Sequence, residues 1–295
     1  MNNQYSILKN SKSPFRGTGR HGRVIIAGAG CGDPDLITIK AAQYLQQADV
    51  ILTDRLVSEE ILLRYANGKA EIIRVGKQCR RGFSTSQKEI NKLLVQYALQ
   101  GKLVVRLKGG DVSVFSNILD ELQSLKQYNI PFEIIPGVSA ALGAAAYTGI
   151  PLTARDYSTA VRFLTLYKST VIDDNYWKEL AQTSDTLVFY MSSETLDDVV
   201  RNLTANHIAP GKLLAVVEQA TTPLQQVYIS SFHDYEFTLK GKIFLSPSLV
   251  MIGKVVSLHQ EFSWFNGNNH GEHYFKPLAS SDSSNRGAKG KITIV

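Results

Sequence analysis

Short apolar runs, each closed by a glycine, an aspartate or a short polar turn and most followed by a stretch of helical spacing, constrain this chain more than any other feature. Residues 23–27 (RVIIA) are such a run, closed by Gly28, and predict a buried strand. Residues 36–47 have helical spacing, and Pro34 suits a first helical turn. Further strands are expected at 50–52, 71–75, 103–107 and 132–135, with helices at 59–65 and 118–128. Ser86 and Glu89 make a capping box, after which Ile90, Leu93, Leu94, Tyr97 and Ala98 repeat on one helical face. The small residues of 140–146 predict a closely packed helix. This alternation calls for a parallel sheet with helices on its faces.

After Pro151 a second half begins, with strands at 160–165, 186–190, 213–217, 226–229 and 249–252 and helices at 176–181 and 196–206. Two strands in succession around Pro223 make its sheet mixed. The expected fold is therefore α/β in two domains: an N-terminal parallel-sheet domain over 23–153 and a C-terminal mixed-sheet domain over 154–265. Residues 1–22 read as a disordered basic tail and 266–295 as a flexible polar tail.

The net charge of +6 first suggests a nucleic-acid or membrane surface. Its distribution argues against that, because residues 1–23 hold five cations and no acid and 266–295 a further +2, which leaves 24–265 at −1. A broad nucleic-acid face is not expected. No run of about 18 apolar residues suggests a membrane span. Cys31 and Cys79 are too few for a disulfide framework and fit a reducing cytoplasm, and no metal-ligand cluster is visible.

Ligands of open α/β sheets bind beyond the carboxyl ends of the strands, so the loops there are the candidates. Gly28-Ala29-Gly30-Cys31-Gly32-Asp33-Pro34 follows the first strand but fails as a dinucleotide fingerprint, since Asp33 occupies the third glycine position. Lys108-Gly109-Gly110-Asp111 follows the fourth strand; it is either a close-approach loop for a zwitterionic ligand or a turn with aspartate as helix cap. Asp54-Arg55 offers a base and a carboxylate anchor, or a salt-bridged pair opening a helix. Lys77 offers a proton donor or a solvated loop cation; Ser139 a ligand contact or a helix cap. Met191 ends a strand and is more often core than contact.

Taken in order, GAGCGDPDLITIKA, ADVILTDRLVS, VGK, VVRLKGGD, IPGVSAALGAAAYTGIPLT, RDY, LVFYM and SPSLVMIGKVV resemble the uroporphyrinogen-III C-methyltransferase family over residues 24–265. The resemblance implies a two-domain tetrapyrrole methylase fold, a homodimer, and S-adenosylmethionine with uroporphyrinogen III in the interdomain cleft. The product would be precorrin-2, made by way of precorrin-1 through methylation at C2 and C7, for sirohaem or cobalamin synthesis. It implies Asp54 as proton acceptor and Lys77 as proton donor, and cofactor contacts from Cys31, Gly109, Gly110, Asp111, Val114, Ser139, Ala140, Met191 and Ala220. The substrate's eight carboxylates call for cations at the cleft, and Arg55, Arg106, Arg155 and Arg162 are the candidates, each with a plain ion pair as its other reading.

The chain departs from the family pattern at several places. Cys31 stands where relatives carry proline, residues 112–121 lack the proline and the Gly-Arg-Gly turn that usually follow G-G-D, and Ala154 replaces a histidine; Ala220 also matches a position where relatives usually carry glycine. Two other readings therefore stay open: a methylase of the same fold acting on a later precorrin, and a cofactor-binding member of weakened activity.

Overall fold

The computed structural model describes residues 22–76, 85–166, 173–268, 272–275 and 292–294, and they fall into two units. The first comprises residues 1–29, 37–137 and 277–295, and the second 30–36 and 138–276.

In the first unit the apolar runs become five parallel strands: β1 Arg23–Gly28, β2 Val50–Thr53, β3 Glu71–Arg74, β4 Leu103–Lys108 and β5 Phe132–Ile135. Their order is β3-β2-β4-β1-β5, so β4 lies between β1 and β2 with every residue of its last five buried. The helices α1 Ile39–Gln47, α2 Glu59–Tyr65, α3 Gln87–Leu99 and α4 Ile118–Gln127 make the connections. Thr38 caps α1, and Ser86 and Glu89 form the expected capping box on α3. Period-2 alternation divides β4 between two cores: Val105 and Leu107 join Ile25, Leu45 and Ile61, whereas Val104 joins Ile90, Leu94 and Leu125. Arg106 and Lys108 therefore follow Val104 onto the face that α3 and α4 cover.

The second unit has α5 Ala140–Thr148, α6 Asp174–Gln182, α7 Leu196–Ala205, α8 Tyr235–Thr238 and α9 His259–Phe262. Its five strands, β6 Val161–Thr165, β7 Thr186–Tyr190, β8 Leu213–Glu218, β9 Gln226–Ser231 and β10 Ser248–Gly253, are ordered β6-β7-β10-β8-β9. Only β6 and β7 pair in parallel, so the sheet is mixed as expected.

Two expectations about boundaries differ from the structure. The division falls after Gly137 and not near 153, because Ala141 and Ala144 of α5 pack with Val188, Val217 and Met251 of the second unit. The polar stretch after 265 also holds structure. The side-chain amide of Gln219 donates to Glu272 O (3.1 Å) and accepts from Tyr274 N (2.7 Å), and Phe275 is buried. Residues Ile292–Ile294 form β11, parallel to β3 at the edge of the first sheet. The reading of 1–22 as disordered lies outside the described residues apart from Gly22.

Lys212, just before β8, is buried, and its ammonium donates to Ala181 O at 3.4 Å. Burial lowers its pKa to about 8, with Asp185 opposing the shift. The folded state thus holds this proton less well than the unfolded chain. The penalty is in full force below pH 8 and fades as pH rises toward the ordinary lysine value of 10.5. Lys212→Met is accordingly expected to be more stable than the parent in urea titrations at pH 7, with the gain shrinking toward pH 10.5; a variant less stable at both pH values would contradict this.

Candidate functional site

The loops at the carboxyl ends of β1, β4 and β5 meet through their glycines. A Cβ at Gly28 would stand 2.6 Å from Gly110 O and 2.7 Å from Gly137 Cα, and a Cβ at Gly137 would stand 2.4 Å from Gly110 O. No side chain fits there, so these glycines serve backbone packing. Asp111 ties two of the loops together. One carboxylate oxygen accepts from Gly137 N (2.9 Å), the other from Ser113 N (2.8 Å) and the Ser113 hydroxyl. Its burial would raise its pKa, but these hydrogen bonds outweigh burial and hold it below the usual aspartate range. Asp111 thus holds the turn but caps no helix, since α4 begins at Ile118 after Asn117.

Beside this floor lies a pocket of about 290 Å³, lined by Asp54, Arg55 and Leu56 after β2, Gly76 after β3, Gln87 and Ile90 of α3, Arg106 and Lys108 of β4, and Gly109 and Val114–Asn117 beyond β4. Its charge is organised by Arg106, whose side chain is 2% exposed. The guanidinium donates through Nη2 to Asp54 Oδ1 (2.5 Å) and through Nε to Glu121 Oε1 (3.0 Å). The Lys108 ammonium donates to the same Glu121 oxygen at 3.0 Å. Two cations thus meet two carboxylates. For Arg106 the desolvation is outweighed by Asp54 and Glu121, and its pKa rises. For Lys108 burial and the Arg106 charge prevail over Glu121 and Asp54, and its pKa falls. Asp54, with 27% of its side chain exposed, is the member that reaches the pocket as a carboxylate.

The second unit carries a cluster of its own. In the loop 30–36, Asp33 N donates to Thr221 Oγ1 (3.0 Å), and the Asp33 carboxylate accepts from Tyr147 Oη (2.5 Å) and Asp35 N (2.8 Å). Cys31 packs its thiol against Gly143 of α5 and accepts from Thr221 Oγ1 at 3.6 Å; burial foremost raises its pKa. The turn after β8 holds Gln219 at φ 47° and Thr221 at φ 67°, and Met191 after β7 stands at φ 55°. These are left-handed conformations that non-glycine residues avoid, and Thr221 is β-branched. Ala220, between the strained positions and not strained itself, is buried where relatives were expected to carry glycine. Met191 is 57% exposed, so it is not the core residue of its bland reading. Ser139 exchanges a 2.6 Å hydrogen bond with Tyr190 Oη, which also accepts from Ala141 N; Ala140 begins α5.

The structure brings Asp54, Arg55, Arg106, Gly109 and Val114 to one pocket, with Gly110 and Asp111 in the loop beneath. It places Cys31, Ser139, Ala140, Met191 and Ala220 in the second unit, with strain concentrated at the carboxyl ends of β7 and β8. Arg162 lies at the opposite end of β6, paired with Leu187 in register and bound to Glu179 and Asp185 at 2.5 Å each, so it takes its ion-pair reading. Arg155 is exposed in the turn closed by the Ala154–Ser158 bridge. Lys77 lies outside the described residues, next to the pocket-lining Gly76. Sequence reasoning missed Lys108 and Glu121. The signal for both was present: two cations at i and i+2 of an apolar strand require a buried anion nearby.

Residues 23–235 match the family model of tetrapyrrole (corrin/porphyrin) methylases, and the chain belongs to that family. It is 40% identical to a siroheme synthase of Vesicomyosocius okutanii over 88% of this chain and 53% of that protein. The chain spans about half the length of the curated relatives it matches. Among solved structures it resembles uroporphyrin-III-C-methyltransferase from Thermus thermophilus, at 31% identity and a TM-score of 0.68, covering 86% of this chain and all of that one. It likewise resembles the same organism's enzyme complexed with S-adenosyl homocysteine, at 32% identity and a TM-score of 0.66, covering 80% of this chain and all of that one.

Removing Arg106 would leave Glu121 buried without its guanidinium partner. Arg106→Met is expected to cost about 3–5 kcal/mol of unfolding free energy in urea denaturation; a loss below about 1 kcal/mol would show that the buried charges are not interdependent.

Proposed function

We propose that this chain transfers methyl groups from S-adenosylmethionine to carbons C2 and C7 of uroporphyrinogen III, giving precorrin-2 by way of precorrin-1, for sirohaem or cobalamin synthesis. The observation that carries the reading is the Asp54–Arg106 pair opening on a pocket at the carboxyl ends of a parallel sheet in a tetrapyrrole methylase. That the chain spans the whole length of the Thermus thermophilus uroporphyrin-III-C-methyltransferase supports the same substrate.

The residues present suit the cofactor. Strained backbone at Met191, Gln219 and Thr221 is a cost that binding sites carry more often than scaffolds do, and Met191 is exposed. The contacts that the family resemblance implies for the cofactor are Cys31, Gly109, Gly110, Asp111, Val114, Ser139, Ala140, Met191 and Ala220. When bound, the cofactor supplies an electrophilic methyl group on a sulfonium sulfur.

The protein's own residues then have three tasks. The pocket fixes the pyrrole carbon, an enamine-like nucleophile, in line with the group it attacks. Asp54 accepts the proton released from the alkylated macrocycle, and the hydrogen bond from Arg106 keeps that carboxylate aimed. Lys77 would return a proton. Arg55 at the pocket wall receives a substrate carboxylate, and Arg155, exposed in its turn, is a second candidate cation for that substrate. Arg106 is committed to Asp54 and Glu121 and serves the base instead. A homodimer, from the family resemblance, and a cytoplasmic location, from the two cysteines, belong to this reading; no helix among the described residues is long and apolar enough to cross a membrane.

Asp54→Asn is expected to lower kcat for uroporphyrinogen III methylation at least ~10-fold while leaving S-adenosylhomocysteine affinity, read by calorimetry, unchanged. An undiminished kcat would remove Asp54 from the mechanism.

A further inference from the structure

We infer that Glu121 and Lys108 are positioning residues for Asp54: they complete a neutral set of four charges around Arg106, and the balance of that set decides the pH range in which the pocket's carboxylate works. This rests on the methyltransferase reading above.

Glu121 is fully buried on α4, 15 residues along the chain from Arg106, and one of its oxygens serves both cations. Its other oxygen, Oε2, is buried with no hydrogen-bond partner. A buried glutamate with half its acceptor capacity unused is expensive unless its charge is required. The requirement is visible on β4, where Arg106 and Lys108 would otherwise face each other's charge on the covered side of the sheet. Arg106 in turn donates through Nη1 to Leu52 O and Leu107 O at 3.4 Å each, so its guanidinium is held on every side and Nη2 has one direction left, toward Asp54. Glu121 thus acts on the pocket through Arg106, without lining it.

The charged groups facing this set are few. Lys108 is coupled to Arg106, Glu121 and Asp54. Helix α3 presents the neutral amide of Asn91 to α4, donating to Asp120 O (3.1 Å) and Ser124 Oγ (2.9 Å). Arg55 lines the pocket beside Asp54, Asp120 is engaged by Asn117, and Lys77 lies outside the described residues. Within the set the count is two positive and two negative. Glu121→Gln leaves an excess positive charge, so lower pH is needed to protonate the working carboxylate. Lys108→Met leaves an excess negative charge, and protonation comes at higher pH. The double variant is neutral again.

The test is the acidic limb of the kcat–pH profile, with uroporphyrinogen III and S-adenosylmethionine saturating, for the full chain and the three variants. The limb is expected to move down in Glu121→Gln and up in Lys108→Met, each by at least ~0.5 pH unit, and to return toward the parent in the double variant. Substrate carboxylates titrate alike in all four proteins, so opposite shifts belong to the protein. If Glu121→Gln does not fold, Lys108→Met and the charge-neutral double decide. Variants that lose rate with the limb unmoved overturn the inference and leave the proposed function standing. A parent protein that transfers no methyl group overturns both.

Discussion

Two cations on one buried strand set the terms for the first unit. A parallel sheet covered on both faces has room for apolar side chains on β4, and Arg106 and Lys108 can sit there only if anions come to them. Glu121 arrives from α4 and Asp54 from the end of β2, and the four charges cancel. The arrangement includes the loop between β4 and α4, which leads the chain from Lys108 to the helix that carries Glu121. Phe115 and Asn117 in that loop take left-handed backbone, and Asn117 donates to Asp120 Oδ2 at 2.9 Å. It also delivers one carboxylate, already held by a guanidinium, to a pocket. The chemistry proposed for Asp54 is thus a by-product of neutralising a strand that would otherwise not bury.

The second unit has a different economy. Its strain lies in backbone and not in charge: Met191, Gln219 and Thr221 are held left-handed by surroundings that over-determine them. Gln219 N reaches Pro247 O, Thr221 N reaches Gln225 Oε1, and the Thr221 hydroxyl joins Asp33 N to Cys31 Sγ. Cys31 in place of proline does not open the loop, because Gly143 gives its thiol a seat. Ala220 in place of glycine is tolerated because the positive φ values fall on its neighbours.

Much of this was legible beforehand. Helices α2, α3 and α7 and all ten strands from β1 to β10 follow from periodicity, caps and apolar runs. What escaped shares a cause: contact between residues distant in the chain. Strand β11 exists only through β3, the 272–275 segment only through Gln219, and the ownership of α5 only through strands forty or more residues later. An alanine-rich helix with no polar face gives no sign of which core it joins, and Pro151 was the more conspicuous boundary mark. At the site, position alone finds the glycine loops, but not the packing of Gly28 and Gly137 against the Gly110 carbonyl. The sequence leaves Arg106 open between a substrate contact and an ion pair because its partners lie 15 and 52 residues away.

Under the proposed function this pocket serves carbon methylation of a tetrapyrrole. The most direct measurement supplies uroporphyrinogen III and S-adenosylmethionine carrying a ¹³C-labelled methyl group and locates the label in the product by NMR. Labelled methyl groups bonded to carbon at C2 and C7 of the macrocycle are expected. Label confined to the cofactor, with S-adenosylhomocysteine still binding the protein, would contradict it.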